Sequence, residues 1–491
     1  MSSAQRRFCC LQAAILLLVS VPAKADSKYY HHFIFDNSIT SDAYFYSFGR
    51  ASPPSTLHLD NEKLPVDTKT FYTPPNALRL EWKSMPNGGW AAELKVVKFR
   101  NRYIDFDGDT FYFWCFSHEA IPAPSLPFIQ VEDTDGNFSV ALPLGEFVSG
   151  VPSEKWIQAS IPLHAFASGS IHPFNPRRIR SVHFGQSVAD ATPRTLVIDE
   201  VKINDAGTAA PANASIAMAS NDQTTVPIPQ DVRAKGYDRH IDITWGSIAS
   251  DDLQRYVIYR SLDGKRFQPI GIQEPGISRY SDFLGKPDQK AYYKVTACDR
   301  NYRQSGFSSS ASASTRPLMD DDLLTMLQEA CFRYYWEGAH PISGAIRESI
   351  PGDDRIVATG ATGFGVMALI VGVDRGFITR QQGAERLMKI VDFFQKAPRY
   401  HGAWSHFMDG ETGKTLPIFG VFHDGGDLVE TAFFIEGLLA ARQYFRGNSE
   451  LEHSLYEKIT GLWETVEWDW YRRSPDGDAL YWHWSPDWAW Y

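Results

Sequence analysis

At Pro317 the spacing of apolar residues changes from period two to helical, and one layer architecture cannot serve both halves. From residue 27 to the break, stretches such as FYTPPNALRLEWKS, DTFYFWCFSH, KWIQASIPLHAF and TLVIDEVKI alternate apolar and polar residues between Gly, Pro and Asn. No convincing helix interrupts them. Past the break, DDDLLTMLQEACFRYYWEGAH opens on acidic residues and then runs apolar at helical spacing. Four more such segments follow: TGFGVMALIVGVDRG, TRQQGAERLMKIVDFFQKA, LVETAFFIEGLLAARQYF and ELEHSLYEKITGLWETVEWDWY. The chain is therefore multidomain: a β-sandwich over 27–205, a flexible linker over 206–225 rich in Ala, Asn, Ser and Thr, a second β-sandwich over 226–316, and an all-α part over 317–491.

The first 25 residues read as an export signal, with Arg6 and Arg7 before the apolar run Phe8–Val21 and a small-x-small site at Ala23-Lys24-Ala25. The expected location is periplasmic or secreted, with no membrane attachment after cleavage. Cys115, Cys298 and Cys331 then remain, one per segment, so a disulfide framework is not expected. A net charge of −10 offers no basic field for polyanions, and nucleic acid is excluded as a partner. No Cys/His spacing suggests zinc, and no phosphate loop is present. The turns Asp105–Asp109 and Asp133–Asn137 carry two readings, calcium through oxygen ligands or hairpin turns using Gly and Asn.

The helical part mixes segments apolar on every face (FGVMALIVGV, ETAFFIEGLLAA) with segments carrying one apolar stripe (GAERLMKIVDFFQK). Two concentric helical layers need that combination, which suggests an α/α toroid. Its loops mix carboxylates or His with aromatics: WEGAHPISGAIRES, RYHGAWSHFMDGETGK, FHDGGDLVE and LYWHWSPDWAWY.

Three resemblances follow. Residues 27–205, closing on IDEVKI, resemble the galactose-binding-like jelly-roll modules found beside glycoside hydrolases. Residues 226–316 resemble a fibronectin type III domain, with Trp245 as the buried tryptophan, Tyr256-Val-Ile-Tyr259-Arg260 in the next strand, Tyr280 and Asp282, and Tyr292 or Tyr293 as a tyrosine-corner contact. From about Leu323 onward, FRYYWEGAHPISGAIRES, HGAWSHFMDGETGKTLPIF, DGGDLVETAFFIEGLLAARQYF and LYWHWSPDWAW resemble successive blocks of the bacterial glucoamylase-like domain. More narrowly, they resemble the β-1,2-glucan hydrolases of glycoside hydrolase family 144. That resemblance implies an inverting hydrolase acting on a β-1,2-linked glucan or glucooligosaccharide, with no metal or organic cofactor, monomeric when complete.

The resemblance places site carboxylates at Asp427 and Glu430, with Asp424 a further catalytic candidate. Three apart at a helix start, Asp427 and Glu430 share a face. An inverting enzyme flanks its bond with carboxyls roughly 6.5–9.5 Å apart, so the pair works on one side of a sugar and the proton donor comes from elsewhere. The resemblance puts that donor beyond residue 491; Glu348 is the internal alternative. The same two residues also satisfy an acidic capping box, which explains them without catalysis. Trp404 and His406, then Trp482, His483 and Trp484, suit stacking and hydrogen bonding at sugar subsites or, equally, a packed aromatic rim. Arg347 and Glu348 either clamp hydroxyls or form a surface ion pair.

Five or six helices are about half of a closed double ring, and Tyr491 stands where the resemblance expects an acidic residue. The sequence is thus expected to be the first half of a longer toroid, inactive and prone to aggregate in this form. Two other functions stay open: a related toroid hydrolase or lyase on another glycan, and a non-catalytic surface protein that binds glycan through its sandwich.

Overall fold

The computed structural model describes residues 28–96, 105–167, 169, 173–207, 226–350 and 353–490. The expected export signal, most of the expected linker and Tyr491 lie outside the described residues.

The first unit is two antiparallel sheets sharing one core. The larger runs Ile157–Pro162, Thr110–Phe116, Pro193–Asn204, Ala77–Lys83 and Thr56–Leu57, with two short strands attached. The smaller runs Leu142–Pro143, Phe128–Asp133, Ile179–Gly185, Gly89–Lys95 and Ser47–Ser52. Alternation does the expected work: Leu78, Leu80 and Trp82 from one sheet meet Trp90, Ala92 and Leu94 from the other. Thr110–Phe116 departs from it, buried along its whole length. Phe111, Phe113 and Cys115 fill the core, while Trp114 packs with Tyr72, Trp156 and Tyr302 of the second unit. A strand covered on both faces loses its polar half. The turn at Asp133 takes the hairpin form, since its carboxylate accepts the backbone N–H groups of Asp135, Asn137 and Asn175.

The second unit sets a three-stranded sheet (Arg233–Gly236, His240–Thr244, Arg279–Phe283) against a four-stranded one (Gln268–Gln273, Leu253–Ser261, Lys290–Asp299, Ala311–Ser314). Trp245 is buried in its core with Ile241, Tyr256, Ile258 and Val295. The Tyr293 hydroxyl donates to Asp282 Oδ2 at 2.8 Å, so this tyrosine ties one sheet to the other through a side chain.

The two sandwiches are joined by more than chain continuity. Arg255 of the second unit and Glu200 of the first, both fully buried, form an ion pair. Thr73 and Tyr302 also donate to Glu200, at 2.7 Å each. Glu200 adopts a φ of 49° in a bulge of Pro193–Asn204. Non-glycine residues hold that conformation only where their surroundings fix it. The second unit grips the helical part in turn: Lys235 and Tyr237 reach Glu329, and Arg333 reaches the buried Asp242.

Among the described residues the third unit has five α-helices: α1 (Asp320–Glu337), α2 (Thr359–Asp374), α3 (Arg380–Lys396), α4 (Leu428–Tyr444) and α5 (Glu450–Glu464). None among the described residues is long and apolar enough to cross a membrane. Thr379 and Gln382 close a capping box at the start of α3, and Ser449 caps α5. The amphipathic α3 and α5 each bury one stripe, Leu387, Ile390 and Phe394 on one and Leu455, Ile459 and Leu462 on the other. α2 and α4 are apolar on nearly every face and cross at Gly363 and Gly437. A Cβ on Gly363 would lie 2.3 Å from the Phe433 carbonyl oxygen, so only hydrogen fits there. That close crossing brings the starts of α2 and α4 together, and the candidate site lies there. Phe364 and Met367 of α2 and Phe433 of α4 remain exposed.

Candidate active site

Asp427 is the N-cap of α4 and is fully buried. Its Oδ1 accepts the Glu430 backbone N–H at 3.0 Å, the first half of a capping box. The second half is missing. The Asp427 backbone N–H goes to the Trp404 carbonyl, and the Glu430 side chain reaches instead to Gly360 N–H at the start of α2, 2.7 Å away. Helix α2 has no side-chain cap of its own, so the Glu430 carboxylate sits at its positive end. The capping box of α4 therefore accounts for half of Asp427, while the Glu430 side chain serves the start of α2 and not its own helix.

The second Asp427 oxygen collects two further donors, Trp482 Nε1 and His406 Nδ1, each at 3.0 Å. The opposite ring nitrogen of His406 stands 3.8 Å from Glu430 Oε1. One imidazole thus bridges the two carboxylates that the sequence places together. Burial alone would lower the His406 pKa, but the bond to Asp427 and the charges of Glu430, Asp427 and Glu348 raise it above the ordinary histidine value. Burial raises the Glu430 carboxyl, with Asp427 and Glu348 adding to the rise and His406 and Gly360 opposing it. Glu348 is raised too, by partial desolvation of a side chain that still reaches solvent, with His406 pulling back. Two carboxyls biased toward protonation and one imidazole biased toward charge therefore share one field.

That field makes a direct prediction. By NMR, His406 titrates above the range of a free histidine, and Asp427→Asn, which keeps a helix cap, brings the midpoint down. The imidazolium is the stabilised form. Its contribution to stability is complete below the unfolded histidine pKa and is lost as pH rises through the folded value. A midpoint unmoved by Asp427→Asn would show that the bridge does not set it.

The loop Tyr481–Trp490 covers this site. Gly426 and Asp427 pair with Trp484 and His483 as a short antiparallel ladder, and Leu428 N–H donates to the Trp482 carbonyl. The glycines explain how it lies so close. A Cβ on Gly425 would sit 2.0 Å from the Trp484 carbonyl oxygen, and one on Gly426 2.1 Å from the Tyr471 hydroxyl. Gly425-Gly426 is therefore a close-approach surface.

Other expected site residues fall elsewhere. Trp404 is corrected: its ring is fully buried against Phe394 and Phe434, and its Nε1 donates to the Phe394 carbonyl. It braces the site from inside and offers no face to a sugar. Arg347 is corrected as a hydroxyl clamp, because its guanidinium is committed to the Gly338 carbonyl and to Asp354. Trp484 is half-buried and meets His401 edge to face, 4.9 Å away. Asp424 does not join the Asp427–His406–Glu430 group; it acts on His483, and its Oδ1 is buried without a protein partner. Trp482 stays 61% exposed beside Asp427, and Glu348 is exposed as well. Phe419, also 61% exposed, was missed: its ring stands 4.9 Å from His406 and 5.4 Å from His423. Its setting, an aromatic before Gly420 between two site loops, is the available signal.

Among the described residues, three side chains lie close enough to share a metal ion: Glu93, Glu132 and His183 on the smaller sheet of the first unit, with ligand atoms within 4.8 Å of one another. Ser181 bridges Glu132 and His183, and Arg180 stands 3.7 Å from Glu132, so the group is already tied up as an ion-pair network.

Known proteins share both ends of this architecture. A family model described as carbohydrate binding domain 30 matches residues 31–205. The exo beta-1,2-glucooligosaccharide sophorohydrolase (non-reducing end) of Parabacteroides distasonis is 41% identical over 474 residues, covering 96% of this chain and 64% of that protein. The crystal structure of a beta-1,2-glucanase from Parabacteroides distasonis superposes with a TM-score of 0.79 at 41% identity, over 93% of this chain and 64% of the other. An endo-beta-1,2-glucanase from Chitinophaga pinensis is 50% identical over 35% of this chain and 43% of its own, with a TM-score of 0.34. The chain therefore spans just under two thirds of the length of the Parabacteroides proteins it matches.

Proposed function

We propose that this chain belongs to an exported, monomeric glycoside hydrolase that cleaves β-1,2-linked glucooligosaccharides with inversion. In this reading the helical unit is part of an α/α toroid, the second unit is a fibronectin type III-like sandwich, and residues 31–205 bind the glycan. The observation that carries it is the Asp427–His406–Glu430 bridge, in which the Glu430 carboxylate is turned from its own helix toward Gly360 N–H, half-buried and raised in pKa beside an exposed tryptophan. General acid catalysis at a glycosidic oxygen needs a carboxyl held protonated near neutral pH, and burial is the usual means.

Asp427 has every oxygen engaged, so it orients His406 and Trp482 and is not free to exchange a proton with substrate. Glu430 handles the proton or the water on its side of the bond. Glu348, also raised and within the field of His406, is the candidate among the described residues for the opposite side. The aromatic rings of Trp482 and Phe419 give the apolar faces on which a pyranose stacks.

Incubation of the complete enzyme to which this chain is proposed to belong with β-1,2-, β-1,3- and α-1,4-glucans tests the reading. New reducing ends are expected from the β-1,2-glucan alone. Cleavage of a different linkage in its place, or of none, overturns it.

A further inference from the structure

Helix α1 stands between the second unit and the loop that carries Glu348. Glu329, Arg333 and Glu337 are spaced by four residues and so form one stripe along it. The second unit holds every member of that stripe. Lys235 Nζ and the Tyr237 hydroxyl donate to Glu329 at 3.0 and 3.2 Å, and Arg279 Nη2 donates to Glu337 at 2.9 Å. Arg333 and Arg279 both place a guanidinium nitrogen near the buried Asp242 carboxylate, at 3.4 and 3.5 Å. Exposed ion pairs count for little singly, but these converge on a desolvated carboxylate.

Tyr334 lies one residue on from Arg333, about 100° round the helix. Its hydroxyl donates to the Arg347 carbonyl at 2.7 Å, with the Glu348 carbonyl 3.3 Å away. The end of α1 meets the same loop. Arg347 Nε donates at 2.6 Å to the carbonyl of Gly338, the C-cap of α1. A Cβ on Gly338 would lie 2.4 Å from Ile350 Cδ1, so the loop rests directly on the helix end. From the other side, Glu348 N–H donates to the Ile356 carbonyl at 3.2 Å. Glu348 itself is exposed, so packing does little to aim its side chain and the backbone has to place it.

We infer that Tyr334 is a positioning residue: its hydroxyl holds the Arg347–Glu348 backbone so that the Glu348 carboxyl stays within the field of His406, and the second unit fixes the far end of that link by holding α1. The link serves catalysis only under the hydrolase reading, which it deepens. An inverting enzyme tolerates little drift between its two carboxyls, because the attacking water has to fit between one of them and the sugar. The groups along the link sense one another. Burial raises the Tyr334 pKa and the Glu348 charge raises it further, while Glu348 in turn helps Asp427 and Glu430 to raise His406. A sandwich that reads as a spacer thereby gains a part in the site, through one stripe of α1 and one hydroxyl beside it.

NMR titration of His406 in the full chain tests the link without any substrate; the resonance is identified by its loss in His406→Gln. Glu348→Gln is expected to lower the His406 midpoint, since it removes one of the charges that raise it. Tyr334→Phe, which deletes a single oxygen, is expected to lower the midpoint too and to add nothing once Glu348 is Gln. A midpoint that Tyr334→Phe leaves in place, or moves just as far in the Glu348→Gln background, overturns the positioning role, as does a Glu348→Gln variant with the parental midpoint. Glu329→Gln with Arg333→Gln loosens α1 from the second unit and is expected to shift His406 in the same direction; a parental midpoint there overturns the part given to the second unit. In the complete enzyme, Tyr334→Phe is expected to lower kcat roughly tenfold with KM close to the parent's, because a misplaced group loses interactions made in the transition state. Parental kcat overturns the role in catalysis. A parent enzyme that cleaves no β-1,2-glucan overturns the hydrolase reading alone and leaves the His406 titration to judge the link.

Discussion

In the complete enzyme of the proposed function, replacing Glu430 by Gln is expected to lower turnover of β-1,2-glucooligosaccharide by about 10²–10⁴-fold, the range that general acid–base groups contribute, and to leave the melting temperature close to that of the parent. The separation of the two effects follows from geometry. The Glu430 carboxylate has one structural task, accepting Gly360 N–H at the head of α2. A glutamine carbonyl still accepts that N–H, giving up only the charge–dipole part of the contact, so the close crossing of α2 and α4 survives. What the amide cannot do is release or take up a proton between pH 4 and 8. The nearby charges give a second readout. Removing the Glu430 carboxylate takes away one of the groups that raise His406, so the imidazole titrates lower in the variant. Steady-state kinetics on a defined β-1,2-glucooligosaccharide, with a thermal melt on the same sample, decide the matter. Near-parental turnover removes Glu430 from the chemistry, and a large drop in melting temperature makes its role structural.

The sequence made the five helices readable because each carries its own signal: acidic or Thr/Ser starts, and stripes or all-round apolar faces that depend on residues within one turn. Asp427 and Glu430 were readable as a pair for the same reason, since three-residue spacing at a helix start is local. Which partners the pair takes is not local. Glu430 turns to Gly360, 70 residues away, because glycines at 363 and 437 let two apolar helices cross closely. Trp404 and Trp482 look alike as loop tryptophans beside site histidines. The first turns inward because Phe394 and Phe434 meet it, and the second stays out with its indole N–H on Asp427. Arg347 reads as a free cation until the chain brings Asp354 and the Gly338 carbonyl to it. The contact between the sandwiches was the least visible, because its groups come from residues 73, 200, 255 and 302 and no pattern in the chain links them.

That contact carries the other large effect. Arg255→Ala is expected to destabilise the chain by about 3–5 kcal/mol, the usual consequence of leaving one partner of a buried ion pair alone. The reason is the position of Glu200. Burial by itself would raise its carboxyl; Arg255, and then Lys202, hold it below the ordinary glutamate value. With the guanidinium gone, Lys202 at 3.5 Å and the hydroxyls of Thr73 and Tyr302 remain, on a residue still held at positive φ. The sign of the pH dependence follows. A carboxyl whose folded pKa is depressed contributes stability above its unfolded pKa and loses it as pH falls through the folded value, so the parent contact weakens only in acid. In Arg255→Ala that acid dependence is reduced and the loss is present at neutral pH. Replacing both charges together, Arg255→Met with Glu200→Leu, leaves no unpaired ion and restores most of the stability. Urea unfolding of the parent, Arg255→Met, Glu200→Leu and the double variant gives the coupling directly, with Arg255→Ala measured beside them. If the double variant is no more stable than Arg255→Ala, the charges are not what joins the sandwiches. If Arg255→Ala lowers stability in one early transition assigned to the sandwiches while α1–α5 melt as before, the pair acts locally. A single cooperative transition shifted to lower urea means that the grip of the second unit on α1, through Glu329 and Arg333, transmits the loss to the helices that build the site.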